Sequence, residues 1–397
     1  MTEPTQLMPP SDSLTARLRE YGEQAVRPFD AAAIASGAMN GPAVRFGWRP
    51  ILGGLLQRRL IWIALALLAV VALGLAVAGA SRPAPGSGGS ILVGGKGTIL
   101  GVDPDTGAVA ALGPGQQPTW SPARTQIAFF VDDGLWIMAA DGSARRRLVD
   151  TTGFIAASWS PDGRRILIDA SGNVADPLVP NRHFLIVPID GSAPRDLGLA
   201  PYKDYGNGSW SPDGAQVVVP TQDGLAVLQS GDGTKPPFHY VHGAGWLPRW
   251  SLDGSTIAFS AGVSIQLVPR DGSRDRILVD RVVPCTLEWS PDGRWLAYGV
   301  SDPACGSSTD TPPGAYVVDA SSGIVRRVFT SSGGDQVFAV DWSPDGQQLT
   351  LLVGAATCHG NGQGDGQGEI WIVGADGSAA RRLVGAVDCG WGTSPDW

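Results

Sequence analysis

The sequence predicts an all-β fold, a seven-bladed β-propeller, preceded by a single transmembrane helix. Three observations predict it. Gly and Pro supply 55 and 31 of the 397 residues, well above a usual joint share of roughly 12 %, so helix interiors would be broken too often for a helical protein. The phrase Trp-Ser-Pro-Asp-Gly recurs at Trp159, Trp210, Trp289 and Trp342. An uninterrupted apolar run, residues 60–80, stands ahead of the repeats. A disordered chain is excluded by an apolar share of 43 % and by 14 Trp.

Residues 1–59 carry seven Arg and five acids, a net of +2. Leu14, Leu18, Tyr21 and Ala25 fall near helical spacing behind Ser13, a residue suited to a helix N-cap. Pro28 interrupts, and a second short helix is expected over residues 30–39, ended by Gly41-Pro42. Two such helices bury little. The segment reads as a juxtamembrane stalk, with a partner-binding helix pair as the sharper alternative.

Residues 60–80 hold no charge. At ~1.5 Å per residue their helix matches a hydrocarbon core of ~30 Å. Arg45, Arg49, Arg58 and Arg59 precede the run, whereas only Arg82 and Lys96 follow it closely. The positive-inside bias then puts the N-terminus in the cytoplasm and residues 81–397 outside. Ala78-Gly79-Ala80 looks like a signal-peptide cleavage site, but the apolar run exceeds the usual ~7–15 residues and its lead is too long. An uncleaved anchor is expected. Residues 81–90, SRPAPGSGGS, read as a flexible tether.

Residues 81–397 carry a net charge of −10, the total being −8, and residues 91–397 are a repeat. The phrase becomes Trp-Ser-Leu-Asp-Gly at Trp250 and Trp-Ser-Pro-Ala-Arg at Trp120, and Pro395-Asp396 leads to a seventh register residue, Trp397. Spacings of 39, 51, 40, 39, 53 and 55 residues give the period of a propeller blade with insertions. Each unit has one grammar. A short strand ends in Trp, and Ser-Pro-Asp-Gly turns the chain because Pro presets φ and Gly accepts φ > 0. An apolar strand follows, then a third strand, an Asp-Gly-Ser turn such as Asp141-Gly142-Ser143, and an outer strand with basic residues such as Arg145-Arg146-Arg147. Four strands per unit make a propeller blade. Residues 91–119 lack only a Trp strand, and residues 390–397 supply one. The two ends are therefore expected to share a blade, giving seven; six blades with a loose N-terminal hairpin is the alternative.

These repeats resemble the TolB-type propeller family, over residues 91–397. The resemblance implies an extracytoplasmic bacterial propeller that binds proteins rather than catalysing a reaction. TolB differs in having a cleaved signal and an extra N-terminal α/β domain, so its partners are not carried over. Propellers of this kind are appended to many unrelated proteins, and the fold does not settle function.

Long repeats owe their length to the connections between second and third strands, near residues 171–183, 301–314 and 355–368. All lie on one face, which marks a candidate binding face. Tyr202, Tyr205 and Trp246 add aromatics there, and His183 and His359 belong to it. So do all four cysteines, Cys285, Cys305, Cys358 and Cys389. An even count outside the membrane implies disulfides. Of three connectivities, Cys285–Cys305 with Cys358–Cys389 is preferred, because each clips a long loop to a nearby strand start. Zinc at Cys358 and His359 is the alternative, with no Cys-x-x-Cys spacing to support it.

No catalytic constellation, metal site or cofactor motif is found. His239 and His242 read as structural, residues 360–368 (GNGQGDGQG) as a flexible loop, and Asp132-Asp133 as a solvated turn. Gly-x-Ser-x-Gly is absent. With an acidic domain and no basic stripe, nucleic acid is not an expected partner. The expectation is a single-pass membrane protein whose propeller binds or scaffolds an envelope protein or ligand. A second reading is an anti-sigma-like sensor signalling through a cytoplasmic partner of residues 1–59, although no Cys or His precedes His183 to build a zinc-containing version. A third, enzymatic reading would place acids on the inner strands, where Glu288 beside Trp289 is the one glutamate in position.

Overall fold

Strong β-formers between turn signals at regular spacing leave the repeats one way to bury their apolar faces, by stacking sheet on sheet. In a computed structural model of the chain the described residues are 89–95, 97–132, 134–151, 154–171, 182–197, 208–221, 224–231, 239–242, 245–301, 311–331, 335–355, 367–388 and 395–397. By internal contacts the chain divides into residues 1–77 and 78–397. Everything described belongs to the second unit. The expected cytoplasmic helices, the apolar run at 60–80 and the tether up to residue 88 lie outside the described residues.

Those residues form seven antiparallel sheets. Blade 1 has β1 (Ile91–Gly95), β2 (Thr98–Val102) and β3 (Val109–Pro114). Blade 2 has β4 (Gln116–Trp120), β5 (Gln126–Val131), β6 (Gly134–Ala139) and β7 (Arg146–Asp150). Blade 3 is β8 (Phe154–Trp159), β9 (Arg165–Ser171), β10 (Arg182–Pro188) and β11 (Arg195–Asp196). Blade 4 is β12 (Ser209–Trp210), β13 (Gln216–Thr221), β14 (Gly224–Gln229) and β15 (His239–His242). Blade 5 is β16 (Gly245–Trp250), β17 (Thr256–Ala261), β18 (Ser264–Pro269) and β19 (Arg276–Asp280). Blade 6 is β20 (Pro284–Trp289), β21 (Trp295–Val300), β22 (Gly314–Asp319) and β23 (Val325–Thr330). Blade 7 is β24 (Gln336–Trp342), β25 (Gln348–Gly354), β26 (Gln367–Gly374) and β27 (Arg381–Asp388).

Blade 1 takes its fourth strand from residues 395–397. The Asp396 amide donates to the Leu92 carbonyl at 3.0 Å, and the Leu92 amide donates back at 2.8 Å. This is the closure expected from the incomplete ends, and seven blades replace the six-bladed alternative.

No central core exists among the described residues; apolar residues pack in seven layers, one at each seam between blades. Blades 2 and 3, for example, share Phe130, Leu135, Ile137, Trp159, Ile166 and Ile168. Each such side chain contributes about 1.5–3 kcal/mol by leaving water. The seams are also stitched by polar bonds that explain two sequence habits. The indole N–H of Trp159 donates to the Thr119 carbonyl (3.2 Å), that of Trp210 to Ser158 (3.0 Å), that of Trp289 to Arg249 (3.1 Å) and that of Trp342 to Glu288 (3.0 Å). In these four the acceptor is the residue before the preceding blade's register Trp. At the rim, outer-strand arginines reach the next blade's turn: Arg146 donates to the Ile189 carbonyl, Arg276 to Ala320 and Arg381 to Pro104.

Candidate functional site

Two regions follow from this geometry: a polar ring around the propeller axis, and the face bearing the long connections.

The ring is built by the residue before each register Trp. Those seven are Thr119, Ser158, Ser209, Arg249, Glu288, Asp341 and Asp396. Inner strands lie side by side, so the side chain of one blade meets the strand of the next. Ser209 Oγ accepts the Trp250 amide at 3.2 Å, Asp341 Oδ2 the Trp397 amide at 2.7 Å and Asp396 Oδ2 the Trp120 amide at 2.8 Å. Arg249 and Glu288 pair at 2.9 Å. Hydroxyls therefore occupy one arc, and three consecutive carboxylates another, with Arg249 between them.

Protein surrounds these acids although the channel still reaches them; Glu288 keeps 30 % of its side chain accessible. Burial pushes the Glu288 carboxyl above its ordinary range, against the pull of Arg249. Asp341 is raised well above the usual value by burial and then by the charges of Asp396 and Glu288. Burial also raises Asp396, opposed by the Thr119 hydroxyl, the Trp120 amide and Arg124. Among the described residues no three His, Cys, Asp or Glu side chains converge as metal ligands, so the carboxylates form an arc rather than a cage.

Arg124 stands where the repeat has Gly. Its φ of +54° is the left-handed value that Gly163, Gly214, Gly254, Gly293 and Gly346 adopt at φ of +66° to +70°. A side chain there costs about 1–2 kcal/mol. The arginine lies over the Trp120 ring at 5.1 Å and donates to the Ser90 carbonyl at 3.0 Å, beside the closing strand.

On the opposite face, only two residues separate the second and third strands in blades 2, 4 and 5. Longer connections replace them between β9 and β10, between β21 and β22, and between β25 and β26. These three share one face. Of the residues expected there, His183 is held by Asp196, Nδ1 to Oδ2 at 2.7 Å, and Trp246 is half-buried against the layer containing Tyr298 and Leu287. Tyr202, Tyr205 and His359 lie outside the described residues. Cys285 on β20 is disulfide-bonded; Cys305, Cys358 and Cys389 lie outside the described residues.

A groove of about 490 Å³ also runs between β23 and β26, lined by Arg327, Phe329, Asp335, Glu369 and Trp371 among others. Both Glu369 oxygens are engaged within its wall, by the Trp371 indole at 2.9 Å and by Arg382 at 2.8 Å.

Sequence reasoning named Glu288 alone on the ring and missed Asp341 and Asp396. The signal was available, since each immediately precedes a register Trp. It was obscured because a residue between a strand and a turn looks like part of the turn phrase.

No protein-family model matches the chain. An uncharacterized protein of Agrobacterium fabrum is 28 % identical over 196 residues, 47 % of this chain; the match spans 60 % of that relative's length. Among solved structures, TolB from Acinetobacter baumannii aligns at a TM-score of 0.46 and 16 % identity, covering 78 % of this chain and 66 % of that one. An oligogalacturonate lyase in complex with manganese aligns at 0.54 and 15 %, covering 73 % and 86 %. At these identities the likeness concerns the propeller fold.

Proposed function

We propose that this TolB-type, seven-bladed propeller is a binding or scaffolding module presented outside the cytoplasm on a membrane anchor. The observation that carries the reading is the asymmetry of the faces. Three blades lengthen the same connection on the same face, while the connection between first and second strands on the other face stays at five residues in blades 2 to 7; insertions at one repeated connection serve recognition in repeat folds. The charge-free run at 60–80 with Arg on its N-terminal side supports the anchor and its orientation. The occupant in this reading is an envelope protein or ligand, and Cys285–Cys305 with Cys358–Cys389 would pin two of the loops.

Capture experiments with residues 91–397 and, separately, with residues 1–59 as bait test this. Partners held by the propeller alone support the scaffold. A sigma factor held by residues 1–59 would replace it with the sensor reading. The arc of carboxylates favours one further reading, catalysis in the channel, since the lyase neighbour shows that an enzyme can be built on such a propeller. Turnover of a glycan by residues 91–397, lost in Glu288→Gln, would overturn the binding reading.

A further inference from the structure

Among the described residues, blade 1 is completed by a short strand. Residues 395–397 make one bridged pair with β1, through the two backbone bonds between Leu92 and Asp396. The inner strands of the other blades pair over two or more residues. What the closing strand lacks in backbone pairing is supplied by side chains of the polar ring. Asp341 Oδ2 accepts the Trp397 amide at 2.7 Å while its Oδ1 accepts the Trp342 amide at 2.8 Å. Asp396 Oδ2 accepts the Trp120 amide at 2.8 Å, and the Trp120 indole donates to the Ser90 carbonyl at 3.0 Å. The seams between blades 7, 1 and 2 are thus tied by two carboxylates.

The same carboxylates repel each other. Glu288 on β20, Asp341 on β24 and Asp396 on the closing strand occupy consecutive ring positions. The groups facing them are Arg249 on β16, paired with Glu288; Thr119 on β4, bonded to Asp396; and Arg124 in the next turn, whose charge acts on both Asp396 and Asp341. Three acids therefore meet two guanidiniums. One of those, Arg124, is kept at a backbone position that disfavours any side chain. One added proton would balance the charges of the five.

We propose that residues 395–397 form an ionisable latch: the closing strand is held while the Glu288–Asp341–Asp396 arc carries a proton, and loosens once the arc is fully charged. The direction follows from linkage. A group that holds its proton more tightly in the closed ring than when the ring is open favours closure at lower pH, and that preference fades as pH rises through its closed-state value. Burial acts in this sense on all three acids, and like charge adds to it at Glu288 and Asp341. The amide bonds accepted by Asp341 and Asp396 act in the opposite sense, and burial and repulsion outweigh them.

Hydrogen exchange on the full chain, with rates corrected for the intrinsic pH dependence of amide exchange, tests the latch. Between about pH 5 and about pH 8, protection of residues 90–95, 396 and 397 should fall as pH rises, by at most roughly tenfold per pH unit for one linked proton. Protection of β21 in blade 6 should stay constant. Asp341→Asn, which removes one charge at nearly constant shape, should flatten the fall. Closure is not proton-linked if wild-type protection at the closing strand is independent of pH, if β21 loses protection in parallel, or if Asp341→Asn shows the wild-type slope. The wild-type measurement alone decides the matter if that variant does not fold.

Discussion

The indole of a register tryptophan fills an apolar seam and ties one blade to the next with its N–H. The two roles separate by substitution. Trp342→Phe keeps most of the packing but removes the bond to the Glu288 carbonyl, at a cost of about 1 kcal/mol beyond the change in volume. The Trp250 indole N–H is buried and has no acceptor among the described residues, so Trp250→Phe should cost less. Chemical denaturation of the two variants measures the difference; equal losses would mean that the indole bonds contribute nothing net. Carboxylates supply a second residue-scale prediction. In the Ser-Pro-Asp-Gly turns a Ser hydroxyl and a backbone amide hold Asp213, Asp292 and Asp345 below the ordinary aspartate range. Their contribution is complete above about pH 4 and lost as pH falls through the depressed values. Glu288, Asp341 and Asp396 are raised instead, and their cost is relieved as pH falls toward the ordinary range. Stability should therefore peak at mildly acidic pH, with the urea midpoint higher near about pH 5 than near about pH 8; a midpoint that rises steadily toward pH 8 would contradict the assignment of the ring.

At the scale of the element, the unit of construction is the turn after each register Trp. Ser343 shows how it works. Its Oγ donates to Asp345 Oδ1 at 2.6 Å and accepts the Gln348 amide at 2.9 Å, while the Gly346 amide closes on the Ser343 carbonyl at 2.8 Å. Ser343 is 3 % exposed, so water cannot replace these partners. Ser343→Ala should cost about 1 kcal/mol by removing the partner of the Gln348 amide, read as a lowered thermal midpoint. Turns of this kind were legible in the sequence because they need particular residue types at fixed offsets, and from them came the blade count and the closure at Trp397. The ring was less legible. Thr119, Ser158, Ser209, Arg249, Glu288, Asp341 and Asp396 share a position but no chemistry, and only the stacking of inner strands brings them together. Arg124 looked like a degenerate end to the phrase at Trp120; its position beside Ser90 and the closing acids is tertiary information. Outer-strand arginines were visible as basic residues, whereas their carbonyl partners lie in the next blade.

Across the whole molecule, stability is shared among seven similar seams, and the closing seam is the one that joins the two ends of the repeat. Deleting residues 395–397 removes the bridge to Leu92, the packing of Trp397 on the blade 7–blade 1 layer and the partner of Asp341. The deletion also bares the edge of β1, Ile91–Gly95, whose Ile91, Leu92 and Val93 are fully buried in the intact ring. An exposed apolar edge pairs with other chains. The deleted protein should thus show a lower thermal midpoint together with concentration-dependent association by light scattering; a monomer of unchanged midpoint would refute this account of closure. The shared blade also sets an order in time. Blade 1 is the first to leave the ribosome and the last to be completed, because its fourth strand follows every other repeat. Until residues 395–397 arrive, β1 must wait with an open edge. Any machinery that handles the nascent chain meets that edge throughout the synthesis of the other six blades.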